Sequence, residues 1–184
     1  MNSLTLVSAA VLVCAALLAH AASPSFAARA QKFSSAYTDL KTQCEPEKGV
    51  EMEGTDTPFR CRGYGGYEIS IGFSAASSHL RAERKGDDSG DGINLATQAL
   101  SYFERKIEWR MADGKPFALI FRIDKTKEVP EATEMWRPEN KTGEALVVKG
   151  LKGYEHIDFE IDARTPDANA RARAMADKAY AEGR

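Results

Sequence analysis

Histidine and cysteine are scarce in this chain of 184 residues, with three of each. One of each, His20 and Cys14, falls near the apolar N-terminal run, which leaves His79, His156, Cys44 and Cys61. Neither histidine stands at ligand spacing from another ligand residue, which excludes the usual structural zinc patterns. No Gly-x-Ser-x-Gly elbow and no phosphate-binding loop occurs, so two common catalytic signatures are missing. An excess of one charge is missing as well. Lys and Arg total 25 against 27 Asp and Glu, a net charge of -2. No basic run interleaved with aromatics is present, so nothing draws the chain towards nucleic acid or an anionic membrane. Carboxylates are abundant, but Glu108, Asp158 and Glu160 fall on the polar faces of alternating strands. Nothing in the pattern makes two of them converge, as acid–base chemistry requires. The expectation is a protein that is not an enzyme and uses no cofactor.

The sequence has one long apolar run, residues 4–19, ending in Ala19-His20-Ala21. Its length suits the hydrophobic region of an export signal better than a membrane span, and Ala-x-Ala is a cleavage pattern. The opening Met-Asn-Ser lacks Lys and Arg, so a retained N-terminal anchor is the competing reading. The expected organisation is a signal peptide at 1–21, a flexible arm at 22–35 and a single domain at 36–184. The location is then periplasmic or secreted, with no membrane attachment after cleavage. Loss of the signal removes Cys14. The remaining pair, Cys44 and Cys61, reads as one disulfide in an oxidising compartment. It would stabilise the fold by about 3 kcal/mol.

A first strand is expected near 36–40, running on to Cys44. A polar loop at 45–58 follows, then a strand at 59–62, a glycine turn at 63–66 and a return strand at 67–73. Another strand lies at 78–84. Asp87, Ser89 and Asp91 before Gly92 resemble the first half of a calcium loop, but Gln98 stands where the bidentate Glu belongs. These residues are a weak metal option beside the plainer reading of a Gly/Asp turn. Residues 94–101 fit either helical turns or an irregular strand.

Residues 103–111 alternate, with Phe103, Arg105, Ile107, Trp109 and Met111 on one face and Glu104, Lys106, Glu108 and Arg110 on the other. A turn at 112–116 and a return at 117–123 complete a hairpin. Residues 124–143 form a long connection. Strands follow at 145–148 and 154–163. The one helix begins with Thr165 as N-cap, Pro166 at the first position and Asp167 in the first turn. Its apolar stripe is Ala168, Ala172, Met175, Ala176, Ala179 and Tyr180, with Arg171, Arg173, Asp177 and Lys178 towards solvent. The fold class is α+β: one antiparallel sheet of about six to seven strands with a C-terminal helix packed on it.

Several runs occur together: Cys-Arg-Gly-Tyr-Gly-Gly-Tyr at 61–67, Ile-Glu-Trp-Arg at 107–110, Pro-Phe-Ala-Leu-Ile at 116–120, Leu-Val-Val at 146–148 and Ile-Asp-Ala-Arg-x-Pro-Asp-Ala-Asn-Ala-x-Ala-Arg-Ala-Met-Ala-Asp at 161–177. With them the chain, over roughly 37–180, resembles a family of small exported alphaproteobacterial proteins to which no activity is assigned. The resemblance implies a periplasmic or secreted bacterial domain and carries no catalytic residues. The family often has a cysteine in the last strand, near His156 here. Its absence means that a second disulfide is not carried over.

The most distinctive stretch is 59–71, and within it the turn of Tyr64, Gly65, Gly66 and Tyr67. Tyrosines on a turn present rigid amphipathic area suited to protein or glycan recognition. With Arg62 beside the turn and Arg110 beyond Trp109, these residues are the candidate binding site. The expected function is a non-enzymatic binding protein with a protein or glycan partner in the periplasm, for example an inhibitor of a secreted hydrolase. The alternative is an envelope structural or stress-related protein that self-associates through an exposed strand.

Overall fold

The computed structural model describes residues 31–48, 57–74, 77–86, 92–99, 105–131 and 134–183. The expected signal peptide at 1–21, most of the expected arm at 22–35 and the calcium option at Asp87, Ser89 and Asp91 lie outside the described residues. Ten strands and one α-helix are described. The strands are β1 (Phe33–Asp39), β2 (Cys44–Pro46), β3 (Phe59–Cys61), β4 (Tyr67–Ser74), β5 (Ser77–Arg84), β6 (Ile93–Ala99), β7 (Lys106–Ala112), β8 (Lys115–Thr126), β9 (Lys141–Gly150) and β10 (Asp158–Asp162). The helix is α1 (Ala168–Glu182).

The strands make two five-stranded antiparallel sheets, not one sheet of six to seven strands. The first has the order β1-β7-β8-β9-β10 and the second β2-β3-β4-β5-β6. The α+β class holds, but β2 and β3 are three residues each and too short to show a period in the sequence. Local chemistry sets the β7–β8 hairpin. Asp113 and Gly114 both have positive φ, 48° and 79°, as an Asp-Gly turn between right-twisted strands requires.

The sheets pack face to face. Ile107, Trp109 and Met111 of β7 meet Ile69 and Ile71 of β4 and Leu80 of β5 in one continuous core. Trp109 is fully enclosed, and its ring nitrogen donates to Thr38 Oγ1 at 2.8 Å. The other face of the first sheet is also covered. Phe117, Ile120 and Val148 pack there with Ala172, Ala176 and Tyr180 of α1. Residues 107–112 of β7 are therefore buried in an unbroken run. A strand enclosed on both faces loses the polar-out alternation expected from its sequence.

Several boundaries differ from expectation. Residues 33–35 belong to β1 and not to a flexible arm, because Phe33 packs edge-on against Phe117 and Tyr180 at 6.0 and 5.8 Å. The first strand ends at Asp39, and a turn separates it from Cys44. Residues 94–99 are strand. The connection expected at 124–143 is shortened from both ends by β8 and β9, with a 3-10 turn at Pro138–Asn140 between them. The helix starts three residues after Thr165. Asp167 is its N-cap in the left-handed region (φ 56°), with no side-chain cap bond. The buried stripe is Ala168, Ala172, Ala176 and Tyr180, whereas Met175 is 43% exposed. Small residues four apart let the helix lie close on the sheet.

Candidate functional site

Two strand residues and two helix residues make the central feature of the helix-facing side. Glu108 and Arg110, two apart on β7, share that face. Ser35 and Tyr37 of β1 stand opposite them in register. Arg173 and Asp177, four apart on α1, lie one above the other. Two strand residues advance about 6.8 Å and four helix residues about 6 Å, so the two pairs meet in step. Their charges are crossed. Arg173 donates from Nε and Nη2 to the two oxygens of Glu108 at 2.7 and 2.9 Å. Arg110 donates from Nε and Nη2 to Asp177 at 2.7 and 2.5 Å. Ser35 links the pairs: it accepts from Arg110 Nη1 at 3.0 Å and donates to Glu108 at 2.5 Å. Hydrogen bonding to Glu108 raises the Arg173 guanidinium above its ordinary value. Thus Arg173 and Asp177, expected to face solvent, face the sheet, and Glu108 and Arg110 are buried beneath them.

Beyond this ladder the helix no longer covers the sheet, and a cleft of about 620 Å³ opens. Ile120 and Leu146 contribute its apolar lining. Tyr37, Lys106, Arg122, Glu144, Asn169 and Arg173 contribute its polar lining. Tyr37 is 46% exposed, although it is a large aromatic residue. Its hydroxyl accepts a hydrogen bond from Arg173 Nη2 at 3.1 Å. Glu144 accepts from Lys141 at 2.8 Å and Arg122 at 2.9 Å. Those bonds, the one from Lys141 first, hold its carboxyl below the ordinary range.

The sequence-derived site lies elsewhere. Arg62, Tyr64, Gly65, Gly66 and Tyr67 form one turn on the second sheet. Tyr67 is 9% exposed, and its ring lies 6.4 Å from Trp109. The Tyr64 ring meets Trp109 edge-on at 5.8 Å, and the Arg62 guanidinium stands 5.8 Å above the Tyr64 ring. Gly65 and Gly66 have φ of 61° and 84°, and a Cβ on Gly65 would come within 2.5 Å of the Pro116 side chain. The turn is thus wedged against the core. A second cavity of about 540 Å³ beside it is lined in part by Arg62, Gly66, Tyr67 and Arg60. Arg60 is tied to Glu47, Glu68 and Glu83 at 3.1, 2.9 and 2.6 Å. Arg110 does not join this group, because it projects from the opposite face of the first sheet to Trp109. One contact connects the two regions: the Tyr64 hydroxyl donates to the Tyr37 carbonyl at 3.0 Å.

Cys44 and Cys61 form a disulfide, placed directly opposite each other between β2 and β3. Among the described residues no three His, Cys, Asp or Glu side chains come together to hold a metal, and no helix is long and apolar enough to cross a membrane. Sequence reasoning passed over Tyr37, Lys106, Asn169 and Arg173 as site residues. The available signal was the Arg173–Asp177 spacing, which puts both charges beside the small-residue stripe of a helix that packs on charged strand positions. No protein-family model, curated protein or solved structure matches the chain.

Proposed function

We propose that the protein is a non-enzymatic binding protein of the periplasm or the secreted space, and that it holds a glycan in the cleft edged by Tyr37. The exposed Tyr37 ring carries this reading. Leaving a large ring nearly half in water forgoes part of the roughly 1.5–3 kcal/mol that burial of such a side chain supplies. Its backbone is held by Tyr64 and its hydroxyl by Arg173, so the ring is a pre-positioned platform. A rigid aromatic face beside planar amide and guanidinium groups suits the apolar face and hydroxyls of a sugar. The acids of the cleft support a binding role over an acid–base one. Glu108 and Glu144 are each engaged by the protein's own donors. The disulfide supports an oxidising compartment. On this reading Tyr64 and its glycine turn brace the platform from behind.

The test is a glycan array probed with the labelled protein and with Tyr37→Ala. Tyr37 lies on the surface, so the variant should fold and lose most of the wild-type signal. An array on which Tyr37→Ala retains every wild-type signal would overturn the reading.

A further inference from the structure

We infer that the saccharide taken by this cleft carries carboxylates, as a uronic acid does. The inference rests on the proposed glycan site and names the chemistry of its ligand. The argument is an inventory of hydrogen-bonding capacity. The carboxylates of the cleft are already engaged, whereas the Asn169 amide, at once donor and acceptor, has no partner among the described residues. Glu108 accepts from Arg173 and Ser35, Glu144 from Lys141 and Arg122, and the neighbouring Asp124 from Arg105 at 2.5 Å. The donors are not exhausted. Arg173 uses Nε and both Nη2 hydrogens on Glu108 and Tyr37, which leaves the two Nη1 hydrogens without a partner among the described residues. Lys106 is 66% exposed and makes one long ion pair, 3.5 Å to Asp39. The Tyr37 hydroxyl accepts from Arg173 and keeps its own hydrogen to donate.

A cleft whose unpartnered groups are mostly donors favours a ligand rich in acceptors. Of its four spare donor groups, Arg173, Lys106, the Tyr37 hydroxyl and the Asn169 amide, two are cations, which favours an anionic acceptor. The exposed ring requires an apolar face on the same ligand. A pyranose ring bearing a carboxylate meets both conditions, with the ring over Tyr37 and the carboxylate between Lys106 and Arg173. A free oxyanion such as phosphate satisfies the cations and leaves the ring without an occupant.

Isothermal titration of the purified protein decides this with four probes: a tetragalacturonate, its methyl ester, a neutral tetrasaccharide and inorganic phosphate. The expected result is binding of the acid, with about tenfold weaker binding of the ester and the neutral sugar, since a charge-assisted hydrogen bond supports a difference of that order. Lys106→Gln, an exposed change that should fold normally, and Arg173→Lys, which keeps the charge and removes the fork, should each weaken the acid by a similar factor. Affinity should fall as salt is raised. Equal binding of acid and neutral sugar would overturn this inference and leave the glycan reading in place. Binding of phosphate alone would overturn both, and so would binding of none of the four probes together with a blank glycan array.

Discussion

Arg110 shows how a residue's role depends on what is placed over it. It stands on the polar face of an alternating strand, and that face lies under a helix. Only 11% of its side chain and 20% of that of Asp177 remain exposed. Arg110→Ala strands the Asp177 carboxylate against the sheet and should cost about 3 kcal/mol in urea unfolding followed by circular dichroism. Replacing both partners, Arg110→Met with Asp177→Leu, should recover most of that loss, because no charge is left unpaired. The surface pair Asp162–Arg164 behaves differently. Side-chain and backbone hydrogen bonds from Arg164 lower the Asp162 pKa from 3.8 to about 2. The folded value lies below the unfolded one. Its contribution is therefore present above the ordinary Asp range and is lost as pH falls through about 2. The pair is fully exposed and screened, so the observable is the titration and not the stability. Carbon-13 NMR should give a midpoint near 2 for Asp162, and Arg164→Ala should return it towards 3.8.

At the scale of elements, sequence patterns were most readable where local chemistry decides. The β7–β8 hairpin follows from alternation on both sides of Asp113-Gly114. The helix follows from its alanine spacing. Its start was not readable, because the left-handed Asp167 ends the approach from Thr165 and Pro166 and begins the helix only at Ala168. The short strands β2 and β3 have little pairing of their own and are joined by Cys44–Cys61. Cys61 also sits in the core, 2% exposed. Cys44→Ser with Cys61→Ser should cost about 3 kcal/mol by thermal or urea unfolding, with amide protection falling first in β2 and β3.

The described residues are layered, with the first sheet in the middle. One face is covered by the second sheet and the other by α1. The helix is therefore structural cover for Phe117, Ile120 and Val148. A chain ending after Ala163 should expose that face, bind a hydrophobic dye such as ANS and elute as aggregate in size exclusion. A truncated chain that stays monomeric and dye-negative would contradict the layered account. The cleft belongs to this scale as well. It exists because a fifteen-residue helix covers less of the sheet than β7, β8 and β9 present.

The sequence by itself determined the alternating strands, the glycine turn at 63–66, the cysteine pair and the helix with its small-residue stripe. Each depends on neighbours a few residues apart or on a count of residue types. Tertiary structure alone decided that there are two sheets, that Glu108 and Arg110 are enclosed, and that Tyr37 keeps an open face while Tyr67 loses its own. The physical reason is that a period of two assigns side chains to opposite faces of a strand but does not say what covers either face. That cover comes from elements far away in sequence. The turn at Tyr64 to Tyr67 was visible as a feature, while Tyr37 became distinctive only once β1 was paired with β7 and the helix stopped short of it.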